Sequence, residues 1–217
     1  GDETAWSTVT SRGPRVPDDR AWTRWLAGDL PDYPEQILQA NYQEVCQRLQ
    51  QVLADEQDLT KMDVHHWQQV NPVLTEALVH LTTGGPQTVY WGGLATGRLR
   101  YYDADRRRPG LPADVAALVR ELRAESVTVS LVNLSVRHTR DVIVGAGSFG
   151  EHCFTQARTL GANDGNTESA RPHSVDGPWL RLRLRPGTEI TLELGTQRHT
   201  RKPGYSFPWH GDVLPVR

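Results

Sequence analysis

The sequence predicts an α+β fold: an N-terminal α-helical segment followed by an antiparallel β-sandwich-like domain. Three observations carry this expectation. Apolar residues recur at three- and four-residue steps as far as Leu81. Gly84-Gly85-Pro86 then stops that pattern. Beyond it the alternation has period two, clearest in Leu180, Leu182 and Leu184 against Arg181, Arg183 and Arg185. The expected division is a helical segment with an N-terminal arm over 1–86, and an antiparallel β domain over 87–217 with one inserted helix over 112–125.

The first sixteen residues are polar and aperiodic and read as an arm lying on the surface or on a partner. "PDDRAWTRWLAG" reads as a short helix capped by Asp18 or Asp19, with Trp22, Trp25 and Leu26 on one face and Gly28 at its end. Asp32-Tyr-Pro-Glu35 offers an acceptor, an early proline and a glutamate at capping-box spacing. Leu38, Tyr42, Val45, Leu49 and Val52 then form a narrow apolar stripe. "DVHHWQQV" is a helical stretch capped by Asp63 and interrupted at Asn71-Pro72. Asn71 is expected to cap "PVLTEALVHLTT", which places Val73, Leu74, Ala77, Leu78 and Leu81 among its apolar positions.

"QTVYWGG" and "GRLRYYD" read as short strands, "DADRRRPGLP" as a loop, and "PADVAALVRELR" as a helix with Val115, Leu118, Val119 and Leu122 on one face. "SVTVSLVNLSVRHTRDVIVGAG" reads as two antiparallel strands joined by a short polar turn. Pro186-Gly187 is expected to join the Leu180–Leu184 strand to Ile190, Leu192 and Leu194 as a hairpin with opposite charges facing across it. "GANDGNTESARPHSVDG" reads as a long polar loop.

Hydrophobic residues make up 37% and charged residues 23% of the chain, enough for a modest core. No apolar run reaches the roughly 18 residues of a membrane span, so no membrane role is expected. The formal net charge of −2 gives the surface as a whole no attraction for nucleic acid. Cys46 and Cys153 make no disulfide framework and read as two isolated thiols, leaving the compartment open. A chain that opens Gly1-Asp2-Glu3 is expected to be processed or cut from something longer.

Gly145-Ala-Gly147-Ser-Phe-Gly150 matches G-x-G-x-x-G, the dinucleotide fingerprint. That fold also needs a following helix and a second parallel strand ending in an acid. Residues 161–178 hold a single β-branched apolar residue, Val175, and Glu168 follows no strand. The glycines therefore read as a bend between strands. No cofactor is expected.

Arg106, Arg107 and Arg108 with Asp103 and Asp105 read as a salt-bridged loop or as a clamp for phosphate, sulfate or uronate. The histidines show no chelating spacing, His65-His66 diverge on a helix, and no metal is expected. There is no G-x-S-x-G elbow; Cys153 beside His152 is a weak thiol–imidazole pair because neighbours on a strand point apart. Of seven tryptophans, Trp91 beside Gly92-Gly93, and Trp209 with Tyr205 and Phe207 in the terminal "PGYSFPWHGD", are the best exposed candidates for stacking on a sugar.

Helical pairs, then "RYYDADRRRPGLP", then strands ending in "RPGTEITLEL" and an aromatic-proline tail: this layout resembles the C-terminal region of large bacterial carbohydrate-active proteins, in which a β-sandwich follows an α/α-toroid. The resemblance implies a truncated helical domain and carries over no catalytic residue. The resulting expectation is a non-catalytic accessory domain or subunit. Its ligand face would use Arg106, Arg107, Arg108, Asp103, Trp91, Tyr205 and Trp209, with carbohydrate as a possible ligand. Leu38, Tyr42, Val45 and Leu49 would meet another protein chain or a missing N-terminal domain. The alternatives are a hydrolase or lyase acting on an acidic sugar with the arginines as anion clamp, and a dinucleotide oxidoreductase using Gly145–Gly150.

Overall fold

The computed structural model describes residues 24–85, 96–162 and 172–210. The N-terminal arm, Trp22, Trp91 and the strand expected at "QTVYWGG" lie outside them. The chain divides into two compact units, 1–78 and 79–217.

In the first unit, residues 24–26 are helical and Gly28 closes the turn at φ +95°. Helix α1 spans Tyr33–Leu53. Asp32 stands at its N-cap position but makes no side-chain cap, because its backbone is already helical (φ −86°, ψ −1°). The expected capping box is therefore not formed. The buried face of α1 carries Tyr33, Ile37 and Arg48. Arg48 donates through Nε to Glu44 (2.7 Å) and through Nη1 to the Asn71 carbonyl (2.5 Å). Helix α2, Val64–Val70, is capped as expected, with Asp63 Oδ1 accepting from the His65 and His66 amides. Asn71 Oδ1 accepts from the Val73 amide, yet helix α3 begins only at Glu76 and runs to Thr83. Residues 71–73 thus form an Asx turn, and no helical turn directly precedes Glu76.

Among the described residues the sheet domain holds nine strands in two antiparallel sheets. The first four-membered sheet orders β2 (Arg108–Pro109), β1 (Leu99–Asp103), β5 (Arg140–Ala146) and β8 (Trp179–Leu184). The five-stranded sheet orders β3 (Val115–Leu122), β4 (Ser126–Asn133), β9 (Glu189–Gln197), β6 (Cys153–Ala162) and β7 (His173–Gly177). The core is built from alternate residues of both: Leu99, Tyr101, Val142, Val144 and Leu184 from one, Val119, Val127, Val129, Leu131, Leu192 and Leu194 from the other.

Three expectations are corrected here. The helix expected over 112–125 is strand β3, antiparallel to β4. A register shift between Val119 and Glu121 pairs Val115 with Asn133, Val119 with Val129 and Leu122 with Val127. The bulge moves the inward phase by one residue, so 115, 119 and 122 share a strand face at helix-like spacing. Asp114, ahead of it, has φ +63°, which no helix entry tolerates.

The two expected hairpins are not hairpins. β4 and β5 lie in different sheets, and so do β8 and β9, so Pro186-Gly187 carries the chain across the core. The charges pair accordingly: Arg181 and Arg183 of β8 meet Asp141 of β5, while Glu193 of β9 meets Arg158 of β6. Finally, the long polar loop contains β7. It pairs with β6 at the sheet edge, where an outward polar run needs no apolar alternation.

His80 of α3 is buried (1% exposed), with Nδ1 2.8 Å from the Gly85 carbonyl oxygen. Burial pushes its pKa from 6.5 down to about 4. The unfolded chain therefore binds a proton below pH 6.5 that the folded chain refuses until about pH 4. Stability should fall as pH drops through that window, by an amount on the order of 3 kcal/mol across it. Denaturant titrations at pH 7 and 4.5 should show a drop that His80→Gln reduces; an equal drop in the variant would refute the assignment.

Candidate functional site

The outward face of the four-stranded sheet carries an aromatic group and an ionic group side by side. Antiparallel register sets its rows: Trp179, Arg181 and Arg183 on β8 stand opposite Gly145, Ile143 and Asp141 on β5, and Tyr102 and Arg100 on β1 follow opposite Ile143 and Gly145.

One end is aromatic. Tyr102 is 1% exposed because the C-terminal segment folds over it. Its ring meets Trp179 edge-on at 5.4 Å, Phe207 at 6.2 Å and Trp209 at 5.9 Å. Phe207 and Trp209 stack at 5.1 Å, in and beside a 3₁₀ turn over Pro208–His210. Arg100 lies 5.4 Å from the centre of the Tyr102 ring. Trp179, Phe207 and Trp209 are each half-buried. A Cβ on Gly145 would stand 2.8 Å from the Trp179 benzo ring, so this position admits only glycine under the indole.

The other end is ionic. Asp141 is nearly buried (side chain 6% exposed) and accepts from Arg181 Nη2 at 2.6 Å and from Arg183 Nε and Nη2 at 2.9 and 3.2 Å. Hydrogen bonding from Arg183, and after it from Arg181, holds the Asp141 carboxyl below its ordinary 3.8 against the opposing effect of burial. Both arginines stay open to solvent, at 63% and 74%.

Beside them the β1–β2 hairpin turns through residues 104–107, with the Ala104 amide donating to the Asp141 carbonyl. Buried Asp103 accepts from the Arg106 amide (3.1 Å) and pairs with Arg108 Nε (3.5 Å). Arg108 also donates to the Leu111 carbonyl at 3.2 Å. Arg107 sits at φ +48° at the tip. Asp103 and Arg108 thus serve the hairpin itself, whereas Arg106 and Arg107 are exposed.

Of the sequence-level candidates, Trp209 joins the aromatic group. Tyr205 (68% exposed) instead packs edge-on against Phe149 at 5.8 Å, and Trp91 lies outside the described residues. The sequence places Arg181 and Arg183 on the polar side of an expected hairpin and does not join Trp179 to them.

The glycine motif lies between β5 and β6, strand to strand, with Gly147 at φ +84° and Gly150 at φ +67°. The Glu151 carboxylate accepts from the Ser148 amide (3.3 Å) and the Phe149 amide (2.7 Å). The loop donors that would cradle a pyrophosphate in a strand–glycine–helix unit hold this carboxylate instead. Cys46 and Cys153 are free thiols. His152 packs against His199 at 4.7 Å and accepts from the His199 amide through Nδ1. Among the described residues no group of three or more His, Cys, Asp and Glu could hold a metal ion. Nor is any described helix long and apolar enough to cross a membrane.

In the helical unit, the stripe on α1 faces outward: Leu38 is 40%, Tyr42 70%, Leu49 44% and Val52 41% exposed, with Val45 half-buried.

A family model described as a domain of unknown function, DUF8034, matches residues 2–79, ending one residue past the division between the two units. No curated protein matches the chain. No solved structure matches it.

Proposed function

We propose that this chain is a non-catalytic accessory piece of a larger assembly, docking another protein chain onto the helical unit through Leu38, Tyr42, Val45 and Leu49. The observation that carries the reading is the exposure of that stripe along a helix of 21 residues. Steps of four, three and four residues from Leu38 to Leu49 keep one seam facing one partner, the spacing used when helix packs on helix. Isolated exposed apolar residues need no explanation, but a contiguous row does.

The non-catalytic part of the reading is supported by Asp141 on the outward sheet face and by Asp103 at the base of the neighbouring hairpin. Asp141 is committed to two guanidinium groups and Asp103 to Arg108 and a backbone amide. Asp141, held as an anion by these partners, is a poor general acid. An acidic-sugar hydrolase or lyase would need such a group free.

Native mass and identification of co-purifying chains test the proposal. The chain should elute within a larger assembly. Tyr42→Glu with Leu49→Glu should release it by at least tenfold weaker association, with unchanged circular dichroism. A lone wild-type monomer, or an assembly indifferent to the double variant, would overturn it.

A further inference from the structure

We infer that the outward face of the four-stranded sheet binds an acidic saccharide, with a sugar ring against Trp179 and its carboxylate or sulfate on Arg181 and Arg183. This does not rest on the docking role of α1, which uses the other unit.

The argument starts from strand geometry. Outward residues on one strand repeat about every 6.8 Å, so Trp179, Arg181 and Arg183 form a straight row with an aromatic surface at one end and two cations at the other. That is the reach from a stacked pyranose to its own charged substituent or to that of the next sugar.

The cations are then fixed. Each guanidinium has five N–H groups. Arg183 gives Nε and one Nη2 proton to Asp141 and Arg181 one Nη2 proton, which leaves three and four for a ligand. Because Asp141 orients both forks before binding, little side-chain freedom remains to be lost. A mere surface ion pair would not need a nearly buried acid bridging two arginines that remain mostly in solvent.

Charge selects the ligand class. Two arginines against one aspartate leave a single net positive charge, to which Arg100 on β1 adds one and the hairpin tip adds Arg106 and Arg107 against Asp105. Such a surface suits widely spaced carboxylates or sulfates on sugar rings. A nucleic-acid backbone carries a phosphate per nucleotide and is favoured by far denser positive charge. The half-buried indole beside the arginines adds the apolar ring contact that a simple inorganic anion would not use.

The test is affinity electrophoresis of the full chain through gels containing polygalacturonate (carboxylate), heparin (sulfate) or neutral dextran, with a single-stranded oligonucleotide as competitor. The wild type should be retarded by polygalacturonate or heparin and not by dextran, and which of the two acts names the anion. Arg181→Gln and Arg183→Gln should each weaken retardation about tenfold, the loss of one bidentate contact. Trp179→Ala should weaken it too, while Arg158→Gln, on the other sheet, should not. Since the glutamine variants leave Asp141 short of partners, Arg181→Lys and Arg183→Lys serve as a second set. They keep the charge, lose the fork, and should still bind about tenfold more weakly. No retardation by either acidic polymer would overturn the inference. So would full binding by the arginine variants, or an oligonucleotide that binds as tightly as the glycan.

Discussion

Asn133→Ala should cost the sheet domain on the order of 3 kcal/mol, read as a lower denaturant midpoint by circular dichroism. Asn133 is fully buried at the end of β4. Its Nδ2 lies 2.8 Å from the His138 carbonyl oxygen and 3.1 Å from those of Leu184 and Arg185, and its Oδ1 accepts from the Ser135 amide at 3.0 Å. Its own amide donates to Thr188. One side chain therefore ties the β4–β5 connection to the β8–β9 connection, two of the places where the chain passes from one sheet to the other. Alanine strips partners from several buried backbone groups at once, each costing about 1–3 kcal/mol when left unmade. Water entering the space would recover part of that, which is why the sum falls short of the largest total. Asn133→Asp should be worse than alanine: it keeps the acceptor but points a carboxylate at three carbonyl oxygens. A midpoint change equivalent to less than about 1 kcal/mol for alanine, or an aspartate variant as stable as wild type, would show that the crossings are held elsewhere.

Asn133 also marks the limit of what the sequence discloses. Alternation reports that a strand has one buried face; it says nothing about which sheet the strand belongs to. Leu180, Leu182 and Leu184 look inward from one sheet and Leu192 and Leu194 from the other, and both patterns are identical in sequence. A Pro-Gly pair between such runs signals a tight turn without saying whether the chain stays in the same sheet. What sends this turn across the core is a contact at residue 133, and what fixes Arg181 and Arg183 is Asp141, some forty positions upstream. Neither partner can be found by reading neighbours. Strand β3 hid for a different reason, since its bulge reproduces a helical interval between Val115, Val119 and Leu122. By contrast, the stripe on α1 and the stop at Gly84 were legible because each depends only on residues within a few turns of one another. The candidate site was half-legible on the same grounds: the arginine hairpin and Trp209 stood out by composition, but the row that joins aromatic to guanidinium needed the register of β5 against β8.

Gly147→Ala should destabilise the sheet domain by about 3 kcal/mol, and Gly147→Val by more. Two effects combine. The residue sits at φ +84°, a region costing an L-residue about 1–2 kcal/mol and a β-branched one more. In addition, its Cβ would fall 2.5 Å from the Glu151 carboxyl carbon, inside a contact that nothing but movement can relieve. Overpacking of that kind costs about 1–3 kcal/mol. The two effects separate in a double-mutant cycle. Glu151→Ala alone leaves the Ser148 and Phe149 amides without their acceptor. Adding Gly147→Ala to it should then cost only the backbone strain, because the methyl enters space the carboxylate has vacated. The pair should be less than additive by about 1–2 kcal/mol. Strict additivity would mean that the carboxylate does not sit against Gly147. The glycines would then be required by backbone conformation alone, and the loop amides would be open to an external anion, as their G-x-G-x-x-G spacing first suggests.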